Sequence, residues 1–127
     1  LEIFSLEKQK EICRQIGENI SRIHNNEIIH GDLTTSNMIL VDGKKSKDKD
    51  KFKIYFIDFG LGFISYRTED KAVDLHLLRQ ALEARHFKNW NALFAEVLKG
   101  YSNSKDYEAV LERLKKVEKR GRYKEKY

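Results

Sequence analysis

A chain of 127 residues has room for one domain with a modest core and is too short for two independent domains. Its 40% apolar and 35% charged residues are typical of a globular protein, and it has neither an apolar run of bilayer length nor a signal-peptide pattern. The single cysteine, Cys13, excludes an internal disulfide and a cysteine-rich zinc site, so we expect a reducing location in the cytoplasm or nucleus. Because no apolar run has bilayer length, we expect no membrane association. The formal charge of +5 and pI near 9.2 favour an acidic partner such as nucleic acid.

The first predicted element is an amphipathic helix. Ile12, Ile16 and Ile20 recur at helical spacing, and Ser5 is suited to cap the helix at its N-terminus. Asparagines at positions 25 and 26 are turn-prone, so we predict that the helix ends there.

Two short segments rich in β-branched and aromatic residues follow, from Met38 to Val41 and from Phe52 to Ile57. They predict two strands of a hairpin. Residues 42–51 between them carry five lysines, so we predict a long polar loop. An insertion without function is favoured there over a contact with an acidic partner.

The rest of the chain is predicted to be helical. Residues 72–84 are apolar on most faces, residues 90–98 form one apolar stripe, and Gly100 is expected to stop that helix. A second stripe in the last helix is formed by Tyr107, Val110, Leu111, Leu114 and Val117. The final segment, 113–127, is a basic helix or tail whose charges are equally consistent with a solvated face. The predicted fold is therefore α+β and mostly α, a single domain over residues 1–127 with four or more helices and one small β-hairpin.

Two motifs carry the chemistry, residues 30–37 (His-Gly-Asp-Leu-Thr-Thr-Ser-Asn) and 57–60 (Ile-Asp-Phe-Gly). Antiparallel pairing of the strands would bring Asn37 and Asp58 together, on the same end as Asp32. Phosphoryl transfer needs an oriented acceptor oxygen and a divalent metal that neutralises the phosphate oxygens. Two carboxylates and an amide at one edge of a hairpin would supply both requirements.

The motifs resemble the protein-kinase signature H-x-D-L-x-x-x-N followed by D-F-G. That resemblance implies ATP and Mg²⁺ as cofactors and Asp32 as the catalytic base or acceptor-orienting carboxylate. It implies Asn37 and Asp58 as Mg²⁺ ligands, and oxygen donors suit this hard cation.

Other positions of the signature have supporting roles in kinases. The resemblance implies that His30 supports the catalytic loop rather than transferring protons, and that Gly60 supports the site. Ile39 and Ile57 match positions that line the adenine pocket, although simple strand core is an equally good interpretation of each.

Several kinase elements are missing or altered. No Gly-rich phosphate loop, strand lysine or helix glutamate precedes the motifs, so the chain resembles a C-terminal lobe without its N-terminal lobe, expected to bind ATP poorly alone. Gly31 and Thr34 replace the usual arginine and lysine of the catalytic loop. About ten residues separate Gly60 from the next helix, and the chain has no proline for an A-P-E element.

With these departures the chain resembles the PRPK-type atypical kinases, which are the kinase subunits of the KEOPS (EKC) complex. The matching segments are residues 30–38, 57–62, 69–75 and 120–123. The similarity extends over the whole chain apart from the lysine-rich loop, and the last two segments discriminate best.

The family resemblance implies an ATPase and Ser/Thr kinase that works with a metal-dependent subunit making threonylcarbamoyl-adenosine in tRNA. That subunit would dock on the C-terminal lobe. Asp74 would be the buried aspartate that tethers the catalytic-loop backbone. Arg120, Arg122 and Lys124 would approach the tRNA or the partner's active site, although Glu125 dilutes the basic run.

Two alternatives stay open at this stage. Aminoglycoside and choline kinases also carry H-G-D-x-x-x-x-N, but they usually have large helical inserts for which no segment fits here. A non-catalytic binding module is favoured if the gene encodes no N-terminal lobe.

Overall fold

A computed structural model describes residues 4–42 and 52–125 of the chain, with side chains described through Arg120. The helices are α1 (Leu6–Asn25), α2 (Thr68–Arg85), α3 (Trp90–Tyr101) and α4 (Tyr107–Glu125), and the strands are β1 (Ile28–Ile29), β2 (Met38–Asp42), β3 (Phe52–Phe56) and β4 (Phe63–Ile64). The predicted mostly helical α+β architecture is confirmed. Residues 43–51 of the predicted lysine-rich loop lie outside the described part.

Helix α1 begins and ends as its sequence predicts. The Ser5 hydroxyl accepts a hydrogen bond from the Lys8 backbone N–H at 3.2 Å, and Asn26 follows the last helical residue. Ile12, Ile16 and Ile20 are buried in the core. Their spacing of four residues keeps them on one helix face, so the amphipathic pattern sets which side of α1 packs inward.

Helices α1 and α3 form the most extensive helix pair, and two glycines let them approach closely. A methyl group on Gly17 would lie 1.9 Å from the Val97 carbonyl oxygen, and one on Gly100 would lie 1.9 Å from the Arg14 carbonyl oxygen. Helix α3 ends at Tyr101, one residue after the predicted stop, so Gly100 is itself helical. Glycine is needed there for backbone contact between helices.

Helix α2 is the central helix and packs against both α3 and α4. Its buried residues lie along one broad face: Lys71, Ala72, Asp74, Leu75, Leu78 and Leu82. It begins at Thr68, four residues before the predicted start. On α4, the buried positions Val110, Leu114 and Val117 form the predicted stripe and close the core against α2. The described helices thus bury one continuous cluster of apolar side chains.

The predicted β-hairpin forms, with Met38 opposite Phe56 and Leu40 opposite Ile54 in an antiparallel register. A single 3₁₀ turn, Thr35–Asn37, leads directly into β2. The backbone N–H of Ile57 donates to the Asn37 carbonyl at 2.9 Å, which extends the pairing to the residue before Asp58. The hairpin therefore joins the ends of the two sequence motifs.

A second antiparallel pair was not predicted. The segment after Gly60 was expected to turn helical, yet Phe63 and Ile64 pair with Ile29 and Ile28. The Ser65 N–H also donates to the Glu27 carbonyl at 2.8 Å. Two-residue strands carry no detectable periodicity, so this pairing depends on the approach of distant segments.

Candidate active site

The backbone of the predicted catalytic loop, residues 30–37, is anchored to a buried carboxylate. Asp74, on α2 and 1% exposed, accepts the His30 N–H on Oδ2 at 2.8 Å and the Gly31 N–H on Oδ1 at 3.0 Å. These bonds join positions more than 40 residues apart in the chain. A buried carboxylate needs such donors, and here they fix the path of the loop that carries Asp32.

Two further residues extend this anchor, and the sequence interpretation missed both. His24 Nε2 lies 3.0 Å from Asp74 Oδ2, and His24 Nδ1 lies 2.8 Å from the Tyr101 hydroxyl oxygen. Because an ionised carboxylate only accepts hydrogen bonds, Nε2 of His24 carries the proton in this contact. Both side chains are fully buried, and burial raises the pKa of Tyr101. The available signal was a polar residue, His24, on the apolar face of α1.

His30 connects the two motifs through a fixed tautomer. Its Nδ1 accepts the Asp32 backbone N–H at 3.1 Å, so Nε2 carries the proton and donates to the Ile57 carbonyl at 2.8 Å. The ring is buried and its centroid lies 4.4 Å from that of Phe59. With both ring nitrogens occupied, this geometry supports a structural rather than a proton-transferring role for His30.

Asp32 and Asn37 are in direct contact. Asn37 Nδ2 donates to the Asp32 carbonyl at 2.8 Å and to its carboxylate Oδ2 at 3.0 Å. Both side chains are half-buried, so the Asp32 carboxylate is oriented while remaining accessible. The Asn37 amide oxygen is not used in either bond.

Asp58 follows β3 on an exposed turn and has a left-handed backbone with φ of 58°. Aspartate tolerates this conformation better than most residues do. A methyl group on Gly60 would lie 3.4 Å from Asp58 Oδ1, an ordinary contact, so available space does not require glycine at position 60. Support of the site by Gly60 stays a prediction.

The structure gives a steric reason for glycine at position 31, which the sequence interpretation did not include. Its φ of 87° favours glycine, and an added methyl group would lie 2.2 Å from the Leu61 carbonyl oxygen. The backbone after the second motif therefore rests directly on the catalytic loop. Any side chain at position 31, including the arginine of many kinases, would displace it.

The two residues predicted to contact adenine lie on the outer side of the hairpin. Ile39 is 47% exposed and Ile57 is 39% exposed, and Tyr55, opposite Ile39 in the register, is also exposed. An exposed apolar strip next to the motif residues is suited to a flat apolar ring. Neither isoleucine belongs to the buried core, so the strand-core interpretation was wrong for both.

The donors available for a metal are an amide and a carboxylate. The Asn37 amide oxygen and the Asp58 carboxylate are hard donors that would suit Mg²⁺, which commonly takes its remaining ligands from water and phosphate. Across residues 4–42 and 52–125 no cluster of three or more His, Cys, Asp or Glu side chains could hold an ion. Two such donors would leave most ligands of a bound cation to come from outside the protein.

The predicted tail residues are only partly described. Arg120 forms an ion pair with Glu69 at the start of α2, and Arg113 also contacts this carboxylate. Arg122 and Lys124 fall within α4, and their side chains lie outside the described ones. None of the described helices is both long and apolar enough to cross a membrane.

The helical core, the small hairpin and the anchored catalytic loop define the C-terminal lobe of a protein-kinase-like fold. Residues 2–101 match the sequence model of the lipopolysaccharide kinase (Kdo/WaaP) family. This match includes both motifs and each of the four strands that the structure describes, and the chain belongs to that family.

Curated relatives show a more specific similarity. The chain is 42% identical to KEOPS complex subunit Bud32 of Pyrococcus abyssi, over 99% of this chain and 54% of that protein. It is 38% identical to the "Probable serine/threonine-protein kinase BUD32 homolog" of Archaeoglobus fulgidus, over 92% and 55% respectively. A "Probable bifunctional tRNA threonylcarbamoyladenosine biosynthesis protein" of Methanocaldococcus jannaschii is 42% identical, over 93% of this chain and 20% of that protein.

These similarities confirm the resemblance to Bud32/PRPK-type kinases that the motifs predicted. The chain spans about half the length of the first two relatives. The matched region therefore corresponds to part of each relative, and it contains Asp32, Asn37 and Asp58.

Proposed function

We propose that the chain supplies the metal and acceptor side of an ATP-dependent phosphoryl-transfer or ATP-hydrolysis site, as the Ser/Thr kinase-like subunit of a KEOPS complex that supports threonylcarbamoyl-adenosine formation in tRNA. The observation that carries the proposal is the hydrogen bond of Asn37 to the Asp32 carboxylate, next to the Asn37–Ile57 backbone bond that precedes Asp58. The relatives' names support the biological setting.

Within this proposal, Asp32 accepts the hydrogen bond of an acceptor hydroxyl or water and holds its oxygen toward the terminal phosphate. Asn37 keeps the carboxylate oriented through Nδ2, and its oxygen would hold Mg²⁺ together with Asp58. Bound Mg²⁺ neutralises charge on the phosphate oxygens. Ile39 and Ile57 provide the apolar strip on which the adenine of ATP would lie.

The partner proposals follow the family. A metal-dependent tRNA-modifying subunit docks on this lobe, and Arg120, Arg122 and Lys124 contact tRNA or that subunit, in the cytoplasm or nucleus. Charge reversal of Arg120 and Arg122 should then weaken tRNA binding and reduce its salt dependence. Unchanged affinity and an unchanged salt slope would count against a phosphate contact by the tail.

The central test is ATP turnover by the intact natural protein, assembled with its partner subunit and tRNA. Asp32→Ala should lower the rate about 10²- to 10⁴-fold, because the acceptor hydroxyl or water loses the carboxylate that orients it. Glu108→Ala, which removes an exposed carboxylate on α4, is the matched control. Equal rates in wild type and Asp32→Ala would refute the proposed function.

A second comparison separates this function from the small-molecule alternative. Turnover should rise on addition of tRNA and the partner subunit and stay unchanged on addition of aminoglycosides or choline. The opposite pattern would assign the acceptor to the class of hydroxylated small molecules.

A further inference from the structure

A polar cleft lies at the beginning of α2, outside the catalytic motifs. It has a volume of about 460 Å³ and is lined by Arg67, Thr68, Glu69, Arg113 and Arg120. Three of these five residues are arginines, drawn from two different segments of the chain. We call it the arginine cleft.

The charges in the arginine cleft are unbalanced. Glu69 Oε2 lies 3.5 Å from Arg113 Nε, and Glu69 Oε1 is paired with Arg120. Arg67 is exposed, and its guanidinium has no ion-pair partner among the residues that the structure describes. Three arginines and one glutamate line the cleft, so its lining carries an excess of two positive charges.

These cations are accessible rather than buried in structural pairs. The Arg113 side chain is 42% exposed and that of Arg120 is 60% exposed, whereas the shared Glu69 is 25% exposed. Exposed ion pairs contribute little to stability. The arrangement is therefore poorly explained by folding alone, and the arginines are free to exchange one oxyanion for another.

The helix end itself adds little to the positive potential of the cleft. Arg67 is the N-cap of α2 and makes no side-chain capping bond, but two carboxylates, Glu69 and Asp70, lie in the first turn. They offset the positive end of the α2 dipole. The positive charge of the arginine cleft therefore comes from its three arginines.

We propose that the arginine cleft binds a phosphate group of an RNA backbone, with Glu69 as the internal anion that this phosphate displaces. Guanidinium groups bind phosphate through paired hydrogen bonds, and three of them around one cleft suit a single tetrahedral anion. The identity of the RNA as tRNA rests on the proposed function.

An extended polyanion is favoured over a phosphorylated peptide by the charges beside the cleft. Arg113, Lys116 and Arg120 have i, i+3, i+7 spacing, which places them along one side of α4, and Lys116 is exposed. A neighbouring phosphate could contact Lys116 while the first occupies the cleft. The net charge of +5 acts in the same direction.

The experiment measures binding of labelled tRNA to the intact protein without nucleotide, across a range of salt concentrations. Arg67→Gln and Arg113→Gln should each weaken binding about fivefold near 0.1 M salt and reduce the slope of log K against log salt by about 0.7 to 0.9. Arg67→Gln breaks no described ion pair, so its folding is not at risk. Glu69→Gln should instead strengthen binding, because it removes the competing anion.

Lys88→Gln is the matched control, since it removes one exposed charge beyond the opposite end of α2, about 27 Å away by helix rise. If both arginine variants match Lys88→Gln in affinity and slope, the proposal is overturned. The proposal is also overturned if both arginine variants weaken the binding of a phosphoserine peptide but leave the binding of tRNA unchanged. The ATP-turnover test of Asp32→Ala uses a different readout, so failure of the proposed function is recognised separately.

Discussion

The carboxylate of Asp74 accepts hydrogen bonds from His24 Nε2, His30 N and Gly31 N, although only 1% of the residue is exposed. In a poorly solvated interior such a charge is tolerated only when its lone pairs have donors. The donors come from α1 and the catalytic loop, so a single side chain on α2 positions both.

Asp74→Asn tests this anchoring. An amide retains one acceptor oxygen but turns its NH₂ group toward donors, so we expect a loss of about 2–4 kcal/mol in the free energy of unfolding. Urea denaturation measures it, with the exposed Glu108→Gln as control. A loss below about 0.5 kcal/mol, as for ordinary surface substitutions, would contradict the anchoring role.

Gly31 and Gly60 offer a matched pair at the same scale. Gly31→Ala should destabilise the protein by about 1–3 kcal/mol, because the residue has positive φ and its methyl group meets the Leu61 backbone. Gly60→Ala, with its nearest contact at 3.4 Å, should change stability by well under 1 kcal/mol. Thermal unfolding of both variants checks the difference, and equal effects would be inconsistent with this steric account.

At the scale of elements, the crossing of α1 and α3 depends on two glycines in the middle of helices. Glycine is a poor helix residue, costing about 1 kcal/mol relative to alanine. Here the absent side chain lets Gly17 face the Val97 carbonyl and Gly100 face the Arg14 carbonyl. Close backbone approach outweighs propensity because many atoms of both helices pack as a result.

Gly17→Ala and Gly100→Ala should each destabilise the protein by about 2 kcal/mol or more, despite alanine's better propensity, because a methyl group 1.9 Å from a carbonyl oxygen forces the helices apart. The control is Ala95→Gly on the exposed face of α3, which should cost about 1 kcal/mol through propensity alone. Stabilisation by either glycine replacement in chemical denaturation would refute the close-approach explanation.

At the scale of the whole molecule, one buried lysine joins three parts of the chain. The Nζ atom of Lys71, on α2, lies 2.9 Å from Oε2 of Glu27, just after α1. It also lies 2.9 Å from Oδ2 of Asp106, just before α4. Burial acts to lower the pKa of Lys71, but the hydrogen bonds to Glu27 and Asp106 outweigh it and raise the pKa. Hydrogen bonds from Lys105 and then Lys71 lower the pKa of Glu27.

The sign of the resulting pH dependence follows from these directions. The Glu27 contribution is present above its ordinary pKa of 4.5 and is lost as pH falls through the lowered folded value. The Lys71 contribution is present below 10.5 and is lost as pH rises through the raised folded value. Stability from this cluster should therefore be constant near neutral pH and fall at both extremes.

Glu27→Gln tests the acid side. The difference in unfolding free energy between wild type and variant should be largest near pH 7 and shrink as pH falls below 4.5. Denaturation at several pH values measures it, with Glu108→Gln as a control whose difference from wild type stays small throughout. A difference for Glu27→Gln that is independent of pH would exclude the ionic account.

Local signals in the sequence determined much of the fold. The Ser5 cap, the apolar stripes of α1 and α4, and the hairpin strands depend on neighbours within a few residues, so pattern and propensity suffice to predict them. The two motifs likewise predicted that Asn37 would lie beside Asp32, and the hairpin brings the Asn37 backbone against that of Ile57, the residue before Asp58.

Tertiary structure decided the features that depend on distant partners. The links of Tyr101 to His24 and of His24 to Asp74 join residues 77 and 50 positions apart, and no local pattern specifies such pairs. Positions 31 and 100 require glycine only because the backbones of Leu61 and Arg14 lie against them in the folded protein. Chain connectivity sets periodicity and turns, whereas burial selects long-range contacts by the free energy of packing and of satisfied polar groups.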